Sequence, residues 1–122
     1  MGARVLIAED EPNIVESLSF VLEREGFSVH AVFDGEAALR ELRASAPDLM
    51  ILDLMLPKMN GFEVLKAAKS DPELSSVPVI VLTAKGQAQD RRMVDEIGAE
   101  GFMTKPFSNR EIVERVRELA GR

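Results

Sequence analysis

Acidic side chains stand directly after two short apolar runs of the sequence. Glu9 and Asp10 follow a run that ends at Ala8, and Asp53 follows Leu49–Leu52. If the two runs are neighbouring parallel strands, the three carboxylates approach one another, and repulsion and lost hydration raise their pKa values. A hard divalent cation removes this conflict. Ligands that are all oxygen favour Mg²⁺, with Mn²⁺ as the alternative.

Two later residues complete a reactive set. Thr83 offers a hydroxyl after another apolar run, and Lys105 offers a compact positive charge near the last one. A carboxylate nucleophile, a metal ion, a lysine and a hydroxyl are the groups that aspartyl-phosphate chemistry needs. Asp53 is the candidate nucleophile. The sequence has no Gly-rich Walker motif, so we expect an external phosphoryl donor.

Each of these residues has a structural interpretation when it is considered alone. Asp53 suits a turn cap, Thr83 suits an ordinary strand, and Lys105 suits the protein surface. We interpret Glu11 as a charge that complements the dipole of the helix after it. The catalytic interpretation depends on the residues at four strand ends occurring together.

The apolar runs alternate with amphipathic segments, which predicts repeated β–α units. We expect strands over Val5–Ala8, Val29–Val32, Leu49–Leu52, Val79–Leu82 and Gly101–Met103. Most are rich in valine, isoleucine or leucine without alternation, which is typical of parallel strands buried on both faces.

Helices are predicted after each strand. Pro12 suits a first helical position, and its helix should end at Gly26. The other helices are expected over Gly35–Ala44, from Asn60, over Ala88–Ile97 and from Ser108. Strict alternation implies an α/β fold, a parallel sheet with helices on both faces. Ligands of such sheets bind beyond the carboxyl ends of the strands, where the reactive residues stand.

The composition narrows the function classes. The 122 residues carry a net charge of −6 and lack cysteine, tryptophan and tyrosine. The acidic charge argues against nucleic acid binding by this chain, and the lack of cysteine excludes disulfides and thiolate metal sites. There is neither a membrane-spanning apolar run nor a signal-peptide pattern. We therefore expect one domain over residues 1–122 that acts in the cytoplasm without contacting a membrane.

The motifs, taken in order, resemble the receiver domain of two-component response regulators. They are Glu9-Asp10, Asp53 followed by Pro57-Lys-Met-Asn60-Gly61, Thr83-Ala84, and Lys105-Pro106-Phe107. The resemblance covers essentially the whole chain. It implies a doubly wound, flavodoxin-like (βα)5 fold with strand order 2-1-3-4-5. It also implies a switch that catalyses only its own phosphorylation and dephosphorylation.

The resemblance assigns the metal and the donor. Asp53 takes a phosphoryl group from the phosphohistidine of a sensor kinase or phosphotransfer protein. Asp10, Asp53 and the backbone carbonyl of Met55 ligate Mg²⁺, and Glu9 acts through water.

The resemblance also assigns the switch. Lys105 and Thr83 bind phosphoryl oxygens, and the Lys105–Pro106 peptide bond is cis. Phe102, where tyrosine is common, is the rotating aromatic ring coupled to Thr83. Phosphorylation then changes the surface of the fourth helix, fifth strand and fifth helix, which contacts an output domain or effector protein.

Three residues are expected to flank the phosphoryl group: Met55, Ala84 and Lys85. Neither Met55 nor Lys85 offers a carboxylate or amide that would orient a hydrolytic water. We therefore predict slow self-dephosphorylation, over minutes or longer.

Two surfaces are candidates for partners. Ile14, Ser17 and Phe20 share a face of the first helix, and an exposed phenylalanine there predicts docking of the phosphodonor. A lone surface hydrophobe is the alternative. The last helix mixes arginines with glutamates, which fits a solvated face or a phosphorylation-dependent homodimer.

Two other functions compete with the switch. An Mg²⁺-dependent aspartyl-phosphate phosphatase uses similar groups. Enzymes of the haloacid dehalogenase type, however, place a second aspartate where this chain has Met55. A non-phosphorylated binding module does not need the complete set of Asp10, Asp53, Thr83 and Lys105.

Overall fold

The structure, a computed structural model, describes residues 2–84 and 88–120. The strands are β1 (Arg4–Ala8), β2 (Ser28–Val32), β3 (Leu49–Leu52), β4 (Val79–Thr83) and β5 (Gly101–Thr104). The helices are α1 (Pro12–Arg24), α2 (Gly35–Ser45), α3 (Gly61–Ser70), α4 (Ala88–Ile97) and α5 (Asn109–Leu119). Every predicted element is present, and the strands differ from the predicted ranges only by a residue at one end.

The strands form one parallel sheet in the order β2-β1-β3-β4-β5. The chain leaves β1 for β2 on one side and then crosses to β3 on the other. The order therefore reverses at β1, and ligands of doubly wound sheets bind at such a point. Ala8 aligns with Leu52 across the β1–β3 pair, which brings the segments after the two strands side by side.

The sheet is buried on both faces because neighbouring residues of each strand enter different cores. In β3, Met50 and Leu52 pack in the core that includes α2 and α3, while Leu49 and Ile51 pack in the core that includes α1 and α5. All four side chains are at most 1% exposed. The apolar, non-alternating strands are thus explained, and the predicted doubly wound α/β fold is confirmed.

Side-chain caps fix where several helices begin. Asp34, Asn60 and Ser108 each accept the backbone N–H three residues further on, at 2.7, 3.0 and 3.0 Å. Such a cap contributes about 1 kcal/mol of stability. Gly26 and Gly98 follow α1 and α4 with φ values of 93° and 115°, which glycine adopts without strain.

In the described part of the chain, none of the helices has both the length and the apolar character that crossing a bilayer requires.

Candidate functional site

Three carboxylates meet at the carboxyl edge of the sheet. Glu9 and Asp10 follow β1, Asp53 follows β3, and one oxygen from each lies within 4.8 Å of the others. Glu9 is 2% exposed and Asp53 is 4% exposed, whereas Asp10 is open to solvent. The structure therefore brings together the acidic residues that the sequence predicts as a cluster.

The backbone holds the two buried carboxylates in place. The N–H of Asp53 donates to the carbonyl of Ala8 at 3.0 Å, and its Oδ1 accepts the N–H of Met55 at 3.1 Å. Glu9 Oε2 accepts the N–H of Glu11 at 3.1 Å. These contacts direct the other oxygens, Asp53 Oδ2 and Glu9 Oε1, toward the centre of the cluster.

Lys105 brings a positive charge into this centre from the end of β5. Its Nζ lies 2.8 Å from Glu9 Oε1 and 3.2 Å from Asp53 Oδ2, and its side chain is 11% exposed. The backbone N–H of Lys105 donates to the carbonyl of Thr83 at 2.9 Å. The following peptide bond, to Pro106, is cis, as the resemblance implies.

Burial and charge shift two pKa values in the cluster. Burial raises the pKa of Glu9 and the charge of Asp53 adds to the shift, while the Lys105 ammonium and the Glu11 N–H offset part of it. Burial alone would lower the pKa of Lys105, but the Glu9 and Asp53 carboxylates outweigh it and raise that pKa. The carboxylates therefore keep Lys105 charged and close to Asp53.

The donor set fits a hard divalent cation. Glu9 Oε1 is buried and accepts no assigned hydrogen bond, and the ammonium of Lys105, 2.8 Å away, contacts it as an ion pair. That oxygen can still accept a contact from a cation or from one of its water molecules. Mg²⁺ keeps several waters and takes only one or two carboxylates, which suits a cluster that is open on the side of Asp10.

Three of the remaining predicted phosphoryl contacts, Thr83, Ala84 and Met55, are among the described residues. Thr83, at the end of β4, is 1% exposed, while Ala84 is exposed. Met55 is 63% exposed, although its backbone is tied to Asp53. Lys85 lies outside the described residues.

Glu11 has a second contact besides its place at the start of α1, where the sequence predicts that its charge complements the helix dipole. It occupies the residue before α1, but its side chain makes no capping hydrogen bond. Its Oε1 lies 3.5 Å from Lys105 Nζ. The side chain is drawn to the positive charge that arrives from β5, a contact between residues far apart in the sequence that no local pattern indicates.

Phe102 is half-buried against the core on the α2–α3 face of the sheet. The guanidinium of Arg91, on α4, lies 5.4 Å from the centre of its ring, within the range of a cation–π contact. The sequence does not indicate Arg91, because its only local feature is its place on an exposed helical face. The predicted switch ring is therefore covered by a charged side chain of α4.

The predicted docking residues line α1 as expected. Phe20 is 62% exposed, with the guanidinium of Arg24 5.6 Å from the ring centre. Ser17 is exposed and Ile14 is half-buried. Phe20 also borders an open groove of about 400 Å³ between α1 and α5, lined on the α5 side by residues such as Val113.

The arginines of α5 have acidic neighbours within the chain. Arg110 contacts Glu114 at 3.4 Å and Arg115 contacts Glu118 at 2.7 Å. Arg117 contacts a glutamate of the α1 C-terminus, Glu25. The homodimer stays a prediction, because this pairing also fits a solvated helical face.

Comparison with known proteins decides the family. Residues 5–117 match the family model described as the response regulator receiver domain. The chain belongs to this family. Receiver domains are the phosphorylation-dependent switches of two-component response regulators, so the resemblance drawn from the motifs is confirmed.

Relatives and solved structures agree with the assignment to the receiver family. The chain is 41% identical over 122 residues to the alkaline phosphatase synthesis transcriptional regulatory protein PhoP of Bacillus subtilis, matching all of this chain and 50% of PhoP. The chain thus spans about half the length of the curated relatives it matches.

Two solved structures are similar over the whole chain. A putative response regulator from Chloroflexus aurantiacus has a TM-score of 0.94 and 31% identity, covering 100% of both chains. The receiver domain of the sensor histidine kinase PA1611 from Pseudomonas aeruginosa, whose structure has a magnesium ion coordinated in the active site cleft, has a TM-score of 0.91 and 26% identity, again over 100% of both chains.

Proposed function

We propose that this receiver domain accepts a phosphoryl group on Asp53, with Mg²⁺, from a histidine kinase or phosphotransfer protein. The observation that carries the proposal is the contact of 3.2 Å between Lys105 Nζ and Asp53 Oδ2 within the carboxylate cluster. A buried carboxylate that faces both a cation site and an ammonium group can approach a dianionic phosphoryl group without prohibitive repulsion. The proposal is consistent with the receiver family to which the chain belongs, whose members are phosphorylation-dependent switches.

The metal ligands of the proposal are Asp10, Asp53 and the carbonyl of Met55, with Glu9 holding a metal-bound water. Bound Mg²⁺ supplies charge neutralisation and orientation of the phosphoryl oxygens. Mn²⁺ is the expected substitute, since it accepts the same oxygen ligands. The exposed Asp10 and the buried Oε1 of Glu9, which accepts no hydrogen bond, support this ligand set.

The proposed transfer uses one nucleophile, Asp53, and phosphorylates each chain once. A carboxylate oxygen of Asp53 forms the new P–O bond as the P–N bond of the donor phosphohistidine breaks, and the imidazole leaves with the bonding electron pair. Lys105 stabilises the charge on the phosphoryl oxygens, and the Thr83 hydroxyl binds one of them. A later attack by water returns Asp53 and releases phosphate.

The switch couples the site to a distant surface. Thr83 lies at the end of β4, where it aligns with Thr104 of β5. Phe102 lies two residues before Thr104 on the same strand, opposite Val81. A phosphoryl group bound by Thr83 and Lys105 favours a different arrangement of Thr83 and Phe102, and with it a changed surface of α4, β5 and α5. An output domain or effector protein binds this surface with an affinity that depends on phosphorylation. A phosphorylation-dependent homodimer is one further outcome.

The phosphodonor docks on α1 in this proposal. Phe20, Ser17 and Ile14 form the contact face, and the groove beside α5 receives part of the partner. The large exposed area of Phe20 supports this surface, because exposed aromatic rings are enriched where proteins bind one another. Residues 1–122 act as a single receiver unit.

Intact-mass measurement after incubation with acetyl phosphate and Mg²⁺ tests the proposal. We expect one phosphoryl adduct per chain, stable in acid and labile in base. The adduct should be absent in Asp53→Asn and with EDTA, and present in the control Asp95→Asn, which changes an exposed aspartate of α4. Continuous release of phosphate over many turnovers would indicate a phosphatase instead. An absent adduct in the native chain would indicate a binding module.

A further inference from the structure

The loop between β3 and α3 rests on the corner where α2 begins. The backbone N–H of Gly35 donates to the carbonyl of Pro57 at 3.2 Å. A methyl group placed on Gly35 would lie 1.7 Å from the carbonyl oxygen of Met59. Lys58 Nζ also lies 3.8 Å from Asp34 Oδ2, and Asp34 is the cap of α2. The loop and the α2 corner are therefore in direct backbone contact.

Glycine is needed at this corner for space and not for its backbone angle. Gly26 and Gly98 have φ values of 93° and 115°, whereas Gly35 does not lie in the left-handed region. Alanine is also the better residue inside a helix. A change of Gly35 to alanine thus acts mainly through the collision with Met59.

The loop that Gly35 supports has a strained backbone. Lys58 has a φ of 70°, and the N–H of Met59 donates to the carbonyl of Pro57 at 2.8 Å. Together these describe a γ-turn with positive φ at its centre, a rare and unfavourable turn. Such a turn persists only where the surrounding structure holds it. The Pro57 carbonyl that closes the turn is the same one that accepts the Gly35 N–H.

The other side of this loop is tied to the reactive site. Met55 donates its N–H to Asp53 Oδ1 at 3.1 Å, and Gly61 donates to the carbonyl of Leu54 at 2.9 Å. The backbone of Met55 therefore lies between the phosphoacceptor and the γ-turn. Leu56 alone separates Met55 from Pro57, the first residue of the turn, so the position of the turn restrains the Met55 carbonyl.

We propose that Gly35 is a positioning residue for the divalent cation site. It lets the start of α2 pack on the γ-turn, which fixes the loop that presents the Met55 carbonyl. The inference rests on the proposed function, in which that carbonyl is a metal ligand. Gly35 itself touches neither the metal nor the phosphoryl group.

Metal affinity of the variant Gly35→Ala tests the inference. Free Mn²⁺, read from its electron paramagnetic resonance signal, gives the dissociation constant, and competition with Mg²⁺ gives that of Mg²⁺. Losing a residue that orients a ligand weakens metal binding by about 10–100-fold, and we expect about tenfold here. Circular dichroism and urea denaturation measure folding of the same samples.

Gly98→Ala is the matched control. Gly98 has a φ of 115° and no atom within 4 Å of an added methyl group, so alanine strains the backbone there without touching the loop. The control should lose stability and keep the metal affinity of the native chain. Native affinity in a folded Gly35→Ala, or an equal loss in Gly98→Ala, would overturn the inference.

Hydrogen exchange of the native chain provides a second test that needs no folded variant. The Gly35 amide exchanges when the loop opens and the Gly35–Pro57 hydrogen bond breaks. If the same opening also breaks the metal site, metal binds only the closed loop, and bound metal must slow exchange of this amide. At a Mg²⁺ concentration of ten times the dissociation constant, the slowing is about tenfold. The Gly98 amide, which donates to the carbonyl of Val94 at 3.1 Å in α4, should not change.

The two tests separate the inference from the proposed function. A native chain that binds neither Mn²⁺ nor Mg²⁺ contradicts the metal site and hence the proposed function. A native chain that binds metal, with no slowing at Gly35, contradicts only the role of Gly35.

Discussion

Lys105→Met removes the ammonium group that faces two buried carboxylates and keeps an unbranched side chain. In the native chain Nζ lies 2.8 Å from Glu9 and 3.2 Å from Asp53, whose side chains are 2% and 5% exposed. Removing one partner of a buried ion pair costs about 3–5 kcal/mol, because the other charge is left unpaired. We expect about 3 kcal/mol less free energy of unfolding at neutral pH without metal, the lower end of that range, since Asp10 keeps the cluster open to water. Domains of this kind have about 5–15 kcal/mol of stability, so the variant should still fold.

The loss of stability should shrink in acid. Burial, followed by the charge of Asp53, already raises the pKa of Glu9 above its usual value of 4.5. The folded state therefore binds the Glu9 proton at pH values where the unfolded chain has released it, and stability falls as pH rises through this window. Without the ammonium of Lys105 the pKa of Glu9 rises further. Protonation of Glu9 at acidic pH then relieves the unpaired charge in the variant.

Urea denaturation at pH ~7 and pH ~5, in EDTA and in Mg²⁺, measures these differences. Mg²⁺ should recover part of the loss in Lys105→Met, because a bound cation replaces the missing positive charge. Lys66→Met, at an exposed lysine of α3, is the control and should stay within about 0.5 kcal/mol of the native chain. A loss in Lys105→Met below about 1 kcal/mol, typical of a surface pair, would show that Lys105 does not form a stabilising buried ion pair. An equal loss at both pH values would show that protonation of Glu9 does not relieve the unpaired charge.

Three further predictions concern alkaline stability, phosphoryl lifetime and donor docking. The Lys105 pKa is raised above 10.5, so its stabilising contribution is present below that pH and is lost as pH rises through the higher folded value. Urea titrations in alkaline buffer should show this decline in the native chain and not in Lys105→Met. The phosphoryl group on Asp53 should last minutes or longer in Mg²⁺, because the exposed Met55 cannot orient water; a lifetime of a few seconds in a mass time course would contradict this. Phe20→Ala should slow phosphotransfer from a cognate protein donor and leave acetyl phosphate reactivity unchanged, and Phe33→Ala, at another exposed ring, should change neither. Equal rates of phosphotransfer from the protein donor to the native chain and to Phe20→Ala would contradict the proposed docking surface.

The fold and the composition of the acidic cluster were predictable because their causes are local or periodic. Leu49–Leu52 is apolar without alternation, which is typical of a strand buried on both faces. In a parallel sheet the carboxyl ends of neighbouring strands lie at the same edge, so Glu9 and Asp53, which directly follow β1 and β3, must lie there together. Asn60 and Ser108 cap their helices through side chains that act within three residues, so the sequence reveals those helix starts directly.

The contacts that the sequence did not reveal join residues distant in the chain. Gly35 meets Met59 only after β2 and β3 take their places on either side of β1, and no pattern near Gly35 indicates that neighbour. Glu11 turns toward Lys105 for the same reason. The γ-turn at Lys58 is harder still to predict, because lysine rarely adopts a positive φ and the loop geometry alone requires it.

The phosphorylated carboxylate can be located chemically, which tests whether Asp53 is the phosphoacceptor. The chain is phosphorylated with acetyl phosphate and Mg²⁺, the acyl phosphate is reduced with borohydride to a stable alcohol, and peptide sequencing by mass spectrometry finds the altered residue. We expect that Asp53 alone is converted to homoserine, and that EDTA abolishes the conversion. Conversion at Asp10 or Glu9, or at Asp53 with undiminished yield in EDTA, would contradict this expectation.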